Sequence, residues 1–225
     1  MTENSADKQP NKDYLDGYQN IEKLINDKLI KYLKVGDFPE TDMNFHMNIY
    51  NFVTQWGNQD TEAEDLYNNF NKIIEGFATE FKNQIHEKTS SEILEALIDR
   101  AKRMDILINF LTKTFSFLDF YFSKFRKYPN LFASALSIYR KVLFEPFKEE
   151  VTMEVNKLLK EDLEGKHEHR NVIKKILSIM KTMDLNNPKI VKEKDASVWI
   201  EDTAPKEANN EEKKEQGKTS IQNFL

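Results

Sequence analysis

A chain of 225 residues with no cysteine and a net charge of −5 at pH 7 has neither disulfides, thiolate chemistry nor Cys-ligated zinc. Its negative balance supplies no field to draw it to nucleic acid. With 39% hydrophobic and 32% charged residues, and only 6 Gly and 6 Pro, it lacks the turn formers of a sheet-rich fold and reads as all-α.

Residues 1–12 are polar, lack the apolar core of a signal peptide and read as a disordered tail. A helical body is expected over 13–186, because apolar residues recur there at spacings of three and four. Tyr14, Tyr18, Ile21, Ile25, Leu29 and Leu33 form the first stripe, closed by Gly36 and Pro39. Thr41 is placed to cap a second helix, in which Phe45, Ile49, Phe52 and Trp56 share a face that ends at Gly57. A third helix runs from Thr61 through Leu66, Phe70, Ile74, Phe77, Phe81 and Ile85.

Ser90 or Ser91 caps a long helical region reaching Lys127, with no Gly or Pro inside it. Its greasiest part, Ile106 to Phe125, carries Lys113, Asp119 and Lys124, which suits a buried helix and no membrane span. Pro129 suits the start of a segment from Leu131 to Glu164 that Pro146 kinks and Gly165 ends. A last helix is expected from Glu168 to Leu185, with Val172, Ile176, Met180 and Met183 inward. Residues 187–217, rich in Lys, Glu and Asn, read as a disordered linker interrupted by Val198, Trp199 and Ile200.

Catalytic patterns fail on inspection. Gly217-Lys218-Thr219-Ser220 resembles the end of a phosphate-binding loop, but Glu212 stands where that loop needs its first glycine. His167 and His169 lie near Glu161, Asp162, Glu164 and Glu168, but an i, i+2 pair points to different sides of a helix, so the segment reads as a solvated loop. His46 and His86 form no triad with a serine and an acid. No enzyme activity, cofactor or metal is expected.

Four segments carry a resemblance. They are Met43 to Thr54, Leu66-Tyr67, Phe117-Leu118-Asp119-Phe120-Tyr121-Phe122, and Leu136 to Phe147 followed by Val151-Thr152. In this order they are similar to the N-terminal repeat of cullins, over about Tyr14 to Leu185. The resemblance implies a bundle of helices packed in series that binds a Skp-type, BTB-fold adaptor through its second and fifth helices. It makes Met43, His46, Tyr121 and Phe122 the expected adaptor contacts. Asp42 and His46 stand where cullins often carry aromatic residues, and Phe120 replaces the signature arginine. The later repeats and the region holding the RING subunit are not expected in a chain of this length. The implied role is a non-catalytic scaffold or adaptor of ubiquitin-ligase assemblies, or a decoy or repurposed interaction module.

Residues 218–225 resemble a PIP box, the motif that docks on the sliding clamp PCNA: Ile221, Phe224 and Leu225 fit its apolar positions, while Lys218 stands where the motif has glutamine. The alternative role it implies is a replication or chromatin accessory subunit. The expected location is the nucleus and/or cytoplasm.

Overall fold

The computed structural model describes residues 10–37, 42–86, 88 and 90–183. Among them there is no strand, and the regular elements are all helical. They are α1 (Lys12–Ile25), α2 (Lys31–Val35), α3 (Met43–Trp56), α4 (Asp60–Ile85), α5 (Ser90–Thr114), α6 (Lys124–Arg126), α7 (Leu131–Tyr139), α8 (Lys148–Leu163) and α9 (Arg170–Thr182). The expected linker, the C-terminal motif and the signals at Pro39 and Thr41 lie outside the described residues.

The Asn11 side chain starts α1 by accepting from the Asp13 N–H at 2.8 Å, while the Asn11 N–H donates to Glu62 on α4 at 3.0 Å. The whole first stripe is buried, as its spacing predicts. In mid-stripe lies a π-helical turn, Asn26–Ile30, which brings Ile30 inside beside Leu29. Gly36, at φ 93°, ends α2, and the Asp37 N–H returns to the Tyr32 carbonyl at 3.0 Å. Arg103 of α5 then donates to the Leu33 and Lys34 carbonyls at 3.0 and 3.1 Å. One guanidinium thus satisfies two helix-end acceptors and ties α2 to α5.

Asp42 caps α3 by accepting from the Phe45 N–H at 2.7 Å, one position after the expected cap. The buried face of α3 is Phe45, Ile49, Val53 and Trp56, and Phe52 is only half-buried, stacked on Tyr14 at 5.7 Å. All six residues of the third stripe are buried on α4.

The long region after Ser90 is not one helix. It stops at Thr114, turns through Phe115 and Ser116, and resumes with a π-helical turn, Asp119–Ser123, before α6. The break needs neither Gly nor Pro. In its last turns the Thr112 and Thr114 hydroxyls donate back to the Ile108 and Phe110 carbonyls, at 2.7 and 3.1 Å. Pro129 lies before α7, not within it, because Asn130 is the cap, accepting from the Ala133 N–H at 2.7 Å. Upstream of Pro146 the chain loosens into a π-helical turn (Arg140–Phe144) and then tightens into a 3-10 turn (Glu145–Phe147). A proline has no N–H to return to the preceding turn, so the register changes there.

α9 begins at Arg170 and buries Ile173, Ile176, Leu177, Met180 and Met183, leaving Val172 half-buried. Ile176, Met180 and Met183 are thus inward as expected, and Ile173 takes the place given to Val172. α5 is the central strut, packing against α3, α4, α7, α8 and α9, while α4 packs on α3, α5 and α7 and α1 on α3. Each fully buried Leu, Ile or Phe along these seams contributes about 1.5–3 kcal/mol.

Candidate partner-binding face

α3 packs along the end of α5 and meets the segment that follows it. At one end the His46 ring of α3 lies on Phe110 of α5, 4.5 Å between centroids. At the other end Gly57 meets the segment that follows α5: a Cβ there would come within 2.9 Å of Phe117 and 3.1 Å of Leu118. Glycine leaves room there for the Phe117 and Leu118 side chains to pack against α3.

Facing away from the core, α3 leaves Met43 76% exposed and Met47 and Tyr50 exposed as well. Their i, i+4, i+7 spacing puts them on one face. The neighbouring segment leaves Phe120 at 71% and Phe125 at 73%, with Tyr121 exposed and stacked on Phe117 at 4.2 Å.

Met43 and Tyr121 are thus free to touch a partner. His46 is half-buried, its ring against Phe110, which in turn stacks on Phe45 at 4.9 Å. Phe122 corrects the expected contact set, because it is 4% exposed, with its ring 5.7 Å from Tyr67 and 5.1 Å from Tyr128. The π-helical turn at Asp119–Ser123 sets this phase, turning Phe122 inward and Phe120 outward. Met47 and Tyr50 were readable as the complement of the buried stripe of α3. Phe120 and Phe125 were not, since the run from Phe115 to Phe125 is aromatic on every side. Lys218, Ile221, Phe224 and Leu225 lie outside the described residues.

The expected solvated loop after α8 is a built corner. Asp162 is 4% exposed and accepts from Arg170 Nε at 2.8 Å and Nη2 at 3.3 Å, with His167 Nδ1 at 3.0 Å. The Arg170 hydrogen bonds hold the Asp162 carboxyl below the usual carboxylate range, against the opposing effect of burial, with His167 adding to the shift. Gly165, at φ 92°, completes a helix stop in which the Lys166 and Gly165 N–H groups return to Glu161 and Asp162 at 3.0 and 3.1 Å. His169 is exposed and His86 rests on Phe147 at 4.9 Å. No group of three or more metal-ligating side chains occurs among the described residues.

Between α1–α2 and α4 lies an open cleft of about 300 Å³, floored by Ile30 and Phe77. Glu22, Lys72, Lys34 and Glu80 rim it, the last two paired at 2.6 Å. Among the described residues no helix is long and apolar enough to cross a membrane. The greasy run is core instead, with Leu107, Ile108, Phe110, Leu111, Phe115, Leu118 and Phe122 all buried.

The corner beneath the face is fixed by two long-range bonds. The Tyr67 hydroxyl donates to the Pro129 carbonyl at 2.9 Å, and Asp119 Oδ1 accepts from the Leu131 N–H at 2.8 Å. The family model for the Cullin alpha solenoid domain matches residues 5–207 of this chain. The chain belongs to the cullin family. It is 26% identical over 166 residues to Cullin-1 of Oryza sativa subsp. japonica, a match that covers 73% of this chain and 22% of that protein. It is 23% identical over 193 residues to cullin-like protein 2 of Arabidopsis thaliana, covering 84% of this chain and 51% of that protein. The matched region is thus about half or less of the length of these relatives. No solved structure matches. The cullin-like motifs Leu66-Tyr67 and Leu118-Asp119 have a structural task here: they bury two leucines and tie down the turn between α6 and α7. This cullin's outward face is drawn from other residues.

Proposed function

We propose that this cullin chain is a non-catalytic docking module that receives a Skp-type, BTB-fold adaptor on the face made by α3 and the Phe117–Arg126 segment. The observation that carries the reading is the unpartnered apolar surface there, with Met43, Phe120 and Phe125 each more than two-thirds exposed. Scattered exposed apolar residues are ordinary, but a row on two adjacent elements over a buried core suits a helical face that meets a partner's groove. A few large aromatic side chains dominate such interfaces. His46 is kept in the reading as a rim contact, its ring braced by Phe110.

The test is co-purification of the full chain with candidate adaptors, followed by Tyr121→Ala and Phe120→Ala. Each substitution is expected to weaken binding about tenfold or more while leaving the helical spectrum intact. Undiminished binding by both variants removes the face from the proposal.

A second reading rests on the sequence of Lys218 to Leu225 alone. In that reading Ile221, Phe224 and Leu225 dock on the PCNA clamp, and the chain works in the nucleus as a replication or chromatin accessory subunit. Deleting 218–225 would abolish PCNA recovery from the full chain. Unchanged recovery would end this reading and leave the adaptor reading as it stands.

A further inference from the structure

The turn between α6 and α7 carries an exposed ridge that is both aromatic and positively charged. Phe120, Tyr121, Phe125, Tyr128 and Phe132 are all exposed there. The Asp119–Leu131 hydrogen bond draws its two ends together, so that Phe120 and Phe132, each one residue beyond a bonded partner, flank the same corner. Lys124, Arg126 and Lys127 are exposed among these rings. Arg126 is paired with Asp60 at 2.7 Å, whereas Lys124 and Lys127 carry no ion pair among the described residues. The complement of this surface is a short apolar segment with acids beside it.

The chain holds one such segment outside the described body. Asp195-Ala196-Ser197-Val198-Trp199-Ile200-Glu201-Asp202 places three large apolar residues between acids and contains no base. The other apolar run, Ile221 to Leu225, has no acid among its own residues, and the charges before it, Glu211, Glu212 and Glu215 against Lys213, Lys214 and Lys218, cancel, so it offers no net negative charge. Reach is sufficient. Sixteen residue steps separate Met183 from Trp199, which at full stretch span about 55 Å. The 25 residues of α5, against which α9 packs, are only about 38 Å long.

We propose that Val198-Trp199-Ile200 docks on the Phe120–Phe125–Phe132 ridge of its own chain, with Asp195, Glu201 and Asp202 facing Lys124 and Lys127. The docked segment covers Phe120 and Tyr121, so it competes with whatever else binds that face. The contact is tethered, which raises its effective concentration and lets a small apolar patch suffice. It goes beyond the adaptor reading and needs no second protein.

The test uses the full chain labelled with 5-fluorotryptophan, whose two resonances are assigned by Trp199→Phe. The expected result is a Trp199 fluorine signal displaced from that of the denatured chain and independent of dilution. Phe125→Ser, or Lys124→Glu with Lys127→Glu, is expected to return it to the denatured position while the Trp56 signal stays in place and reports an intact fold. Adding Glu201→Lys and Asp202→Lys to the double lysine variant is expected to restore the displacement. The proposal is overturned by a Trp199 signal at the denatured position in the unaltered chain. A displacement that ignores the ridge substitutions, or one that vanishes on dilution as contact with a second copy would, overturns it equally. No adaptor is present, so a failure here leaves the adaptor reading untouched.

Discussion

The hydroxyl of Tyr67, on α4, donates to the carbonyl of Pro129, 62 residues later, at 2.9 Å. Tyr67 also packs its ring on Phe122 and Tyr128, so a single side chain holds the α6–α7 turn from inside. Tyr67→Phe keeps the ring and loses the bond. It should destabilise the fold by about 1 kcal/mol, read as a lower urea midpoint at unchanged slope. Tyr67→Ala should cost about 3–5 kcal/mol and loosen the exposed ridge with it.

Lys127 is the one non-glycine residue with positive φ among the described residues, at φ 60°. It ends α6 in the left-handed conformation, with the Tyr128 N–H returned to Ser123 at 3.0 Å. Glycine occupies this region without the Cβ conflict. Lys127→Gly should therefore be neutral or stabilising by up to about 1 kcal/mol in chemical denaturation, whereas Lys127→Val should lower the midpoint.

Acid should loosen the α8–α9 corner. Arg170 and His167 lower the Asp162 pKa in the folded chain, so the carboxylate's stabilisation is complete above its unfolded value, about pH 4. It is lost as pH falls through the lower folded value. Urea midpoints measured from pH 5 to 2.5 should fall more steeply for the unaltered chain than for Asp162→Asn, which is weaker at neutral pH but no longer titrates there. Equal slopes would show that the corner contributes nothing to acid unfolding.

Alkali should act on three buried phenols. Burial raises Tyr14, Tyr18 and Tyr139 above their usual range, Tyr14 further through its 2.7 Å bond to Asp65 and Tyr139 through the nearby Asp105 charge. A raised acid stabilises the fold fully below its unfolded value, near pH 10, and that share is lost as pH climbs above it. Of the 8 tyrosines, these three should ionise only with unfolding, giving a late cooperative step in absorbance that coincides with loss of helical signal.

Much of the architecture was legible because α1 and α4 follow strict spacings of three and four, and all of their stripe residues are inside. What escaped reading has local causes. Thr41 and Asp42 are both competent caps, and only the backbone decides that Asp42 takes the Phe45 N–H. The stop at Thr114 has no glycine or proline near it to announce it. Tyr121 and Phe122 are neighbours in one aromatic run, and by residue type both suit a partner equally well. A π-helical turn decides between them by sending Tyr121 out and Phe122 in. Resemblance gave the family correctly, but the motif residues Tyr67 and Asp119 turn out to brace the fold.

The position of α5 has a consequence for how the molecule comes apart. Because this one helix touches α3, α4, α7, α8 and α9, neither half of the bundle keeps a closed interior once it leaves. Backbone amides in its middle turns, around Met104 to Ile108, should exchange with heavy water only through whole-molecule opening, while those near the ends of α1 and α9 exchange through local fraying. A nick anywhere between α4 and α7 would then release two fragments that fold only in each other's company.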